Sequence, residues 1–242
     1  YPTFVAAGTH FRLGEPIYSE ILPEHDQFRY TPLAAVFFIP FGFLPNLFGG
    51  ILWRWLQIAV YVVAVRAWAR TTIPEVPWQL LSFLTIPIVT GGFYNAQVNP
   101  ILAALMLFGL CAFSKRYYWC AAFAVAGAVM LKIYPLSLGL LLILVEPRRF
   151  TWRFVLALLV VFFAPYALQS SEYVNQQFKD FLFRLTDDDR TQWKMFEGYH
   201  DFQKLLRRWG LLISLDSYRI LEVVVGTAMG GFVLWGRLRG WT

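Results

Sequence analysis

The residue with the sharpest chemical signal is Lys132. It follows fifteen residues without a charge and stands in AVMLKIYP, two residues before Tyr134 and three before Pro135. An ammonium at or near membrane depth costs roughly 2.5–3.5 kcal/mol on insertion scales unless it is paired or wetted. One reading is a lysine snorkelling from a helix end to the interface. The other is a cation facing a lipid-linked phosphate, which the adjoining proline break favours. A second signal is the amide-rich stretch Asn95, Gln97 and Asn99 in NAQVNP. Uncharged carboxamides suit sugar hydroxyls better than metals, and they also hold helices together. Arg29-Tyr30, at the entry to an apolar stretch, offers another cation beside an aromatic ring, or an interfacial anchor.

Other polar residues carry less. Glu15, Glu20, Glu24 and Asp26 lie in the first polar segment, where several acids in a short stretch ordinarily form a solvated loop. Asp187-Asp188-Asp189 point in different directions and read as a charged turn rather than a site for a hard cation. His10, His25 and His200 lack ligand spacing; His200 fits the cap of an amphipathic helix. There is no Gly-rich phosphate loop, nucleophile elbow or zinc signature. No metal and no cofactor is expected.

The elements that must position these groups are membrane helices. The chain is 58% hydrophobic and 15% charged, and residues Trp78 to Ser114 contain no Asp, Glu, Lys or Arg. A hydrocarbon core of ~30 Å takes about 20 helical residues, so uncharged runs of this length mark candidate spans. Such runs give an all-α, polytopic transmembrane helix bundle. Seven spans are expected: Leu47–Trp68, Trp78–Tyr94, Pro100–Ser114, Tyr117–Leu131, Pro135–Val145, Phe154–Leu168 and Tyr218–Trp235. Thr3–Leu13 is expected as a short helix. Thr31–Leu44, bracketed and broken by prolines, reaches ~21 Å, too little to cross comfortably, and reads as an interfacial or re-entrant helix rather than a span. The expected organisation is a first outward loop over 1–46, a bundle over 47–168, an outward loop over 169–216 and a terminal span over 217–242. Without an initial Met, and opening in a polar segment, the chain reads as part of a longer protein.

The formal charge of +6 sits mostly in short turns, so it marks orientation rather than nucleic-acid binding. Arg66, Arg70, Lys115, Arg116, Arg148, Arg149, Arg153, Arg237 and Arg239 fall on one face, expected to be cytoplasmic. Folding back at Lys115-Arg116 brings Asn95, Gln97, Asn99 and Lys132 to the opposite, outward face. Cys111 and Cys120 lie inside apolar segments and read as free thiols.

Taken in order, YPTFVAAGTHFRLGEPIY, FRYTPLAAVFFIPFGFLP, NAQVNPILAAL and LKIYPLSL with a basic turn after it resemble integral-membrane glycosyltransferases of the C class. Within that class they look like glycosyltransferase family 87, which includes polyprenyl-phosphate-mannose-dependent mannosyltransferases. The motifs cover roughly Tyr1 to Leu168. The resemblance implies a large first outward loop with interfacial helices and a span before Tyr1. It also implies transfer of a hexose, mannose first, from a polyprenyl-phosphate donor to an acceptor hydroxyl on a lipid or glycan. The transfer would invert the anomeric carbon and take place on the extracytoplasmic face of a bacterial inner membrane. The family's acidic base would lie early in that loop. No Asp or Glu occurs between Tyr1 and His10, so the base is expected upstream of this chain, and Glu15 is not assigned the role.

On this reading Lys132 and Arg29 meet the donor phosphate. Tyr30, Tyr134, Asn95, Gln97 and Asn99 line the substrate site. The same cation and amides would also serve a transporter or flippase of a lipid-linked glycan, but a transporter needs polar residues at both faces of a path. A structural membrane subunit would need no cavity beside Lys132.

Overall fold

The computed structural model describes residues 1–18, 27–187, 202–211 and 213–240, and every regular element among them is helical. Two compact units, Tyr1–Phe183 and Arg184–Thr242, divide the chain.

The first unit opens with α1 (Pro2–Leu13), where a proline occupies the first helical turn and Gly14, at φ 74°, closes the end by taking the left-handed conformation. Only glycine enters that conformation without steric cost, which is why the helix stops there. The next helix, α2 (Pro32–Phe38), passes into a 3-10 turn over Ile39–Phe43. Pro40 lacks an N–H to continue the α-helical ladder, so the turn tightens. After these come α3 (Asn46–Thr72), α4 (Trp78–Tyr94), α5 (Asn99–Ser114), α6 (Tyr118–Leu131), α7 (Leu136–Val145) and α8 (Pro147–Phe163). A 3-10 turn over Ala164–Ala167 leads into α9 (Ser171–Asp187).

The centre of the bundle is α6, which packs against α5, α7, α8 and α2. Its Ala121, Ala122, Ala126 and Ala128 are fully buried. Small side chains let backbones approach where there is no hydrophobic drive between helices in lipid. On α5, a Cβ at Gly109 would lie 2.7 Å from the Val125 methyl, so the crossing requires the glycine. By contrast α4 keeps only Ser82 and Phe93 buried and turns Phe83 and Ile88 outward, the surface expected against lipid.

At one end of the bundle α1, α2 and α9 build a cap on one apolar core that includes Phe4, Phe11, Phe38, Trp53, Ala96, Val174 and Phe181. Phe4 stacks on Phe38 at 4.7 Å, and Phe38 meets Trp53 edge-on at 4.8 Å. The amphipathic helix α9 ties the cap together by hydrogen bonds. The Gln177 side-chain oxygen accepts from Ile17 N–H at 3.0 Å, and Tyr173 O–H donates to the Glu15 carbonyl at 2.7 Å. Just before α9, the Gln169 amide donates to the carbonyls of Phe11 at 2.8 Å and Arg12 at 3.0 Å in the last turn of α1, where carbonyls lack a full set of helical partners.

The second unit contains α10 (Phe202–Arg208) and α11 (Leu215–Leu238). The Ser214 hydroxyl caps α11 by accepting from Ser217 N–H at 3.2 Å.

Each segment expected as a span is helical, and three reach crossing length and hydropathy: Asn46–Thr72, Pro147–Ala167 and Asp216–Leu238. The others are shorter, at 17 residues for α4, 16 for α5, 14 for α6 and 10 for α7. Two helices run past the ends of their apolar stretches. Arginine is a good helix former, so α3 continues through Arg66 and Arg70 until Ile73 precedes Pro74. Likewise α8 starts at Pro147, the helical position prolines favour, and therefore contains Arg148, Arg149 and Arg153. The polar segment after Leu168 contains the helix α9, which the charge pattern alone did not resolve.

Candidate active site

Lys132 marks the point where α6 stops. Its N–H still bonds the Ala128 carbonyl at 3.0 Å, but its own backbone is extended, with φ −149° and ψ 147°. Pro135 cannot continue a helical ladder, so the residues before it leave the helix. This frees the last carbonyls of α6, and Thr31, the N-cap of α2, fills one of them by donating its hydroxyl to the Met130 carbonyl.

That bond brings the segment before α2 against the end of α6. The Lys132 ammonium lies 5.9 Å from the centroid of the Tyr30 ring. Tyr30 is itself held in an aromatic corner, 5.0 Å from Phe4 and 5.6 Å from Phe28, and its carbonyl accepts from Tyr18 O–H at 2.7 Å. Lys132 is half-buried, and that burial pushes its ammonium below the ordinary lysine value. Among the described residues no carboxylate forms an ion pair with it. A desolvated cation whose neighbour is a ring face keeps its attraction for an anion, because the ring offers no countercharge. Arg29 is next to Tyr30 in the chain, and Tyr134 is exposed in the same break as Lys132.

The amides sit at the same end of the α5–α6 hairpin in a different setting. They form the α4–α5 turn, which contains Ala96 at φ 52°. The turn is held from below by α3. Trp53 Nε1 donates to the Ala96 carbonyl at 2.9 Å, Gln57 Nε2 to the Gln97 carbonyl at 2.6 Å and Arg54 to the Tyr94 carbonyl at 3.1 Å. Asn99 Nδ2 donates to Gln97 Oε1 at 2.7 Å. Gln57 Oε1 and Asn99 Oδ1 are buried with no protein donor, and polar atoms so placed fit an enclosed water. The Asn95 side chain is exposed.

So Lys132 and Tyr30 meet at one helix break, with Arg29 and Tyr134 close to them in the chain. Asn95, Gln97 and Asn99 form a second group, and one buried core that includes Phe4, Phe38, Trp53 and Ala96 adjoins both Tyr30 and this turn. The sequence reading did not single out Thr31, Trp53 or Gln57. Gln57, an amide inside an apolar helix, was the visible clue.

Glu15 lies 3.5 Å from His10 Nδ1. Glu20, Glu24, Asp26, His25, Asp188, Asp189 and His200 lie outside the described residues. Among those described, no three His, Cys, Asp or Glu gather as metal ligands.

No curated protein and no solved structure matches the chain. The model of glycosyltransferase family 87 matches residues 28–242. The match begins later than the sequence motifs, at the segment carrying Arg29 and Tyr30, and runs on through α11. It covers the helix break with Lys132, the amide turn and every helix from α2 to α11, and so the chain belongs to glycosyltransferase family 87, a family of membrane glycosyltransferases.

Proposed function

We propose that the chain transfers a hexose, mannose first, from a polyprenyl-phosphate donor to an acceptor hydroxyl at the extracytoplasmic face of a bacterial inner membrane. The anomeric carbon is inverted. The observation that carries this reading is the half-buried Lys132 ammonium, held over Tyr30 with no described carboxylate to pair with it. An inverting transfer passes through an oxocarbenium-like state in which charge builds on the departing phosphate, and a fixed cation there lowers the barrier. Lys132 takes that role, with Arg29 beside the same headgroup and Tyr30 and Tyr134 flanking it. The polyprenyl tail lies against the apolar outer surface of the bundle. A carboxylate must take the acceptor proton; Glu15, turned towards His10, is not proposed for it. The Asn95–Asn99 turn shapes the far side of the site.

The test is release of polyprenyl phosphate from labelled polyprenyl-phosphate mannose in membranes containing the full chain. Lys132→Ala is expected to lower turnover about 100-fold or more, the usual scale for removing one transition-state charge partner. Unchanged turnover at equal protein level would sink the assignment.

A further inference from the structure

The opposite end of the bundle carries a second cluster that the transfer reaction does not use. Lys115 and Arg116 form the α5–α6 turn, where Arg116 takes φ 62° and Tyr117 N–H closes back on the Ala112 carbonyl at 2.8 Å. Phe113 contacts Phe150 at 5.2 Å, and Trp119 contacts Trp152 edge-on at 5.1 Å. These contacts pin the turn to the start of α8, where Arg148, Arg149 and Arg153 stand.

Arg153 is the centre of this cluster. Its guanidinium lies 4.3 Å from the Trp152 ring, 5.7 Å from Trp119 and 5.9 Å from Tyr118, and it donates to the Arg149 carbonyl. Among the described residues no carboxylate pairs with any of these cations, including the neighbouring Glu146. Setting orientation in a membrane needs only the number of cations near a turn. It does not need one guanidinium fixed on a tryptophan pair. The Trp152 ring face and the Arg149 carbonyl together restrain the guanidinium, and its remaining N–H donors form a planar fork of the kind that recognises a phosphate in a bidentate way. Trp119 and Trp152 are 41% and 45% exposed, and exposed tryptophans concentrate at headgroup depth.

We propose that Arg153, held over Trp152 beside Trp119 and in the same basic cluster as Lys115, Arg116 and Arg149, binds the phosphodiester headgroup of an anionic phospholipid in the leaflet at this end of the bundle. The site is independent of the donor site at Lys132.

The experiment reconstitutes the full chain in phosphatidylcholine bilayers with trace spin-labelled phosphatidylglycerol or phosphatidylcholine, and reads the motionally restricted fraction of each. The unaltered chain is expected to retain phosphatidylglycerol about fivefold over phosphatidylcholine, on the scale of one juxtamembrane cation. Arg153→Gln should bring the ratio to about one, and Trp152→Ala should lower it by about half as much on a logarithmic scale. Arg153→Lys keeps the charge and the membrane orientation but loses the fork, and should also lower the ratio; it carries the test if Arg153→Gln fails to insert. A ratio unchanged in Arg153→Lys and Arg153→Gln would overturn the proposal. Displacement of the labelled phosphatidylglycerol by millimolar inorganic phosphate would overturn it in favour of a soluble anion.

Discussion

The Lys132 break and the Asn95–Asn99 turn are both polar interruptions at one end of the α5–α6 hairpin, yet the fold treats them in opposite ways. The turn is consumed by packing: Trp53 and Gln57 of α3 each donate to one of its carbonyls, Arg54 donates to the Tyr94 carbonyl just before it, and Asn99 spends its amide on Gln97. The break is left open: Thr31 takes a carbonyl of α6, while the Lys132 ammonium lies over a ring face and pairs with no carboxylate among the described residues. Polar residues beside membrane helices therefore divide by what remains unspent after the helices have been joined. A carboxamide with its hydrogen bonds made is a fastener, whereas an ammonium without a countercharge is a place for an anion.

The largest effect that would break this contrast is on stability. Trp53 is fully buried, contacts Phe37, Phe38 and Phe41, and supplies the bond to Ala96. Trp53→Ala is expected to destabilise the folded chain by about 3–5 kcal/mol, the usual cost of emptying a large aromatic site. Thermal unfolding in detergent, followed by near-ultraviolet circular dichroism, reads it. A loss of under about 1 kcal/mol would mean that α3 does not fasten the turn, since one buried hydrogen bond alone is worth that much.

The second effect separates the two regions by pH. Burial disfavours the charged form of Lys132, so its folded value lies below the ordinary 10.5. As pH rises through that lowered value the ammonium is lost, and turnover that depends on it falls. In the same window, up to 10.5, the unfolded chain still holds the proton, so folding stability gains with pH. Activity and stability should therefore move in opposite directions on the alkaline side. Lys132→Arg, which stays charged, should remove that alkaline fall in kcat/KM. An alkaline limb identical in Lys132→Arg would assign it to another group.

How far this contrast was legible from the sequence follows from the range of the interactions. Apolar runs and proline breaks are local, so the helix order, the α5–α6 turn and the interruption at Lys132–Pro135 could be read in advance. The expectation that the amides and Lys132 lie at one end of the hairpin needed only that local pattern. What could not be read were partners set by distant residues. Thr31 and Met130 are 99 positions apart, and Ile17 and Gln177 are 160 apart. No periodicity reports such pairings, and for that reason α9 looked like a polar loop and the role of α3 in holding the amide turn was hidden. Arg148 and Arg149 misled in the other direction: charge suggested a turn, while Pro147 had already started the helix.

A smaller effect tests the open side of the comparison. Tyr30→Leu keeps an apolar side chain against Phe4 and Phe28 but removes the ring face beneath Lys132. A cation–π contact at a partly exposed site is worth about 1 kcal/mol, so donor turnover should fall about fivefold. Tyr30→Phe, which keeps the ring, should retain it. If Tyr30→Phe falls as far as Tyr30→Leu, the hydroxyl rather than the ring face positions Lys132.

The smallest expected effect is the most discriminating, because it falls on the one amide of the turn that packing has not used. Asn95 is exposed at the end of α4, and its side chain makes no hydrogen bond to the described residues. Asn95 caps the end of α4 through its backbone N–H, which bonds the Gly91 carbonyl at 3.0 Å and which alanine keeps, so Asn95→Ala should change unfolding by less than about 0.5 kcal/mol. If the turn only fastens helices, transfer to the acceptor should also be unchanged. If the exposed carboxamide holds a sugar hydroxyl, the acceptor KM should rise while the unfolding midpoint stays in place, since the lost bond would exist only in the complex. Measuring both on one preparation separates a fastener that ends at its backbone from one whose outward amide has a second use.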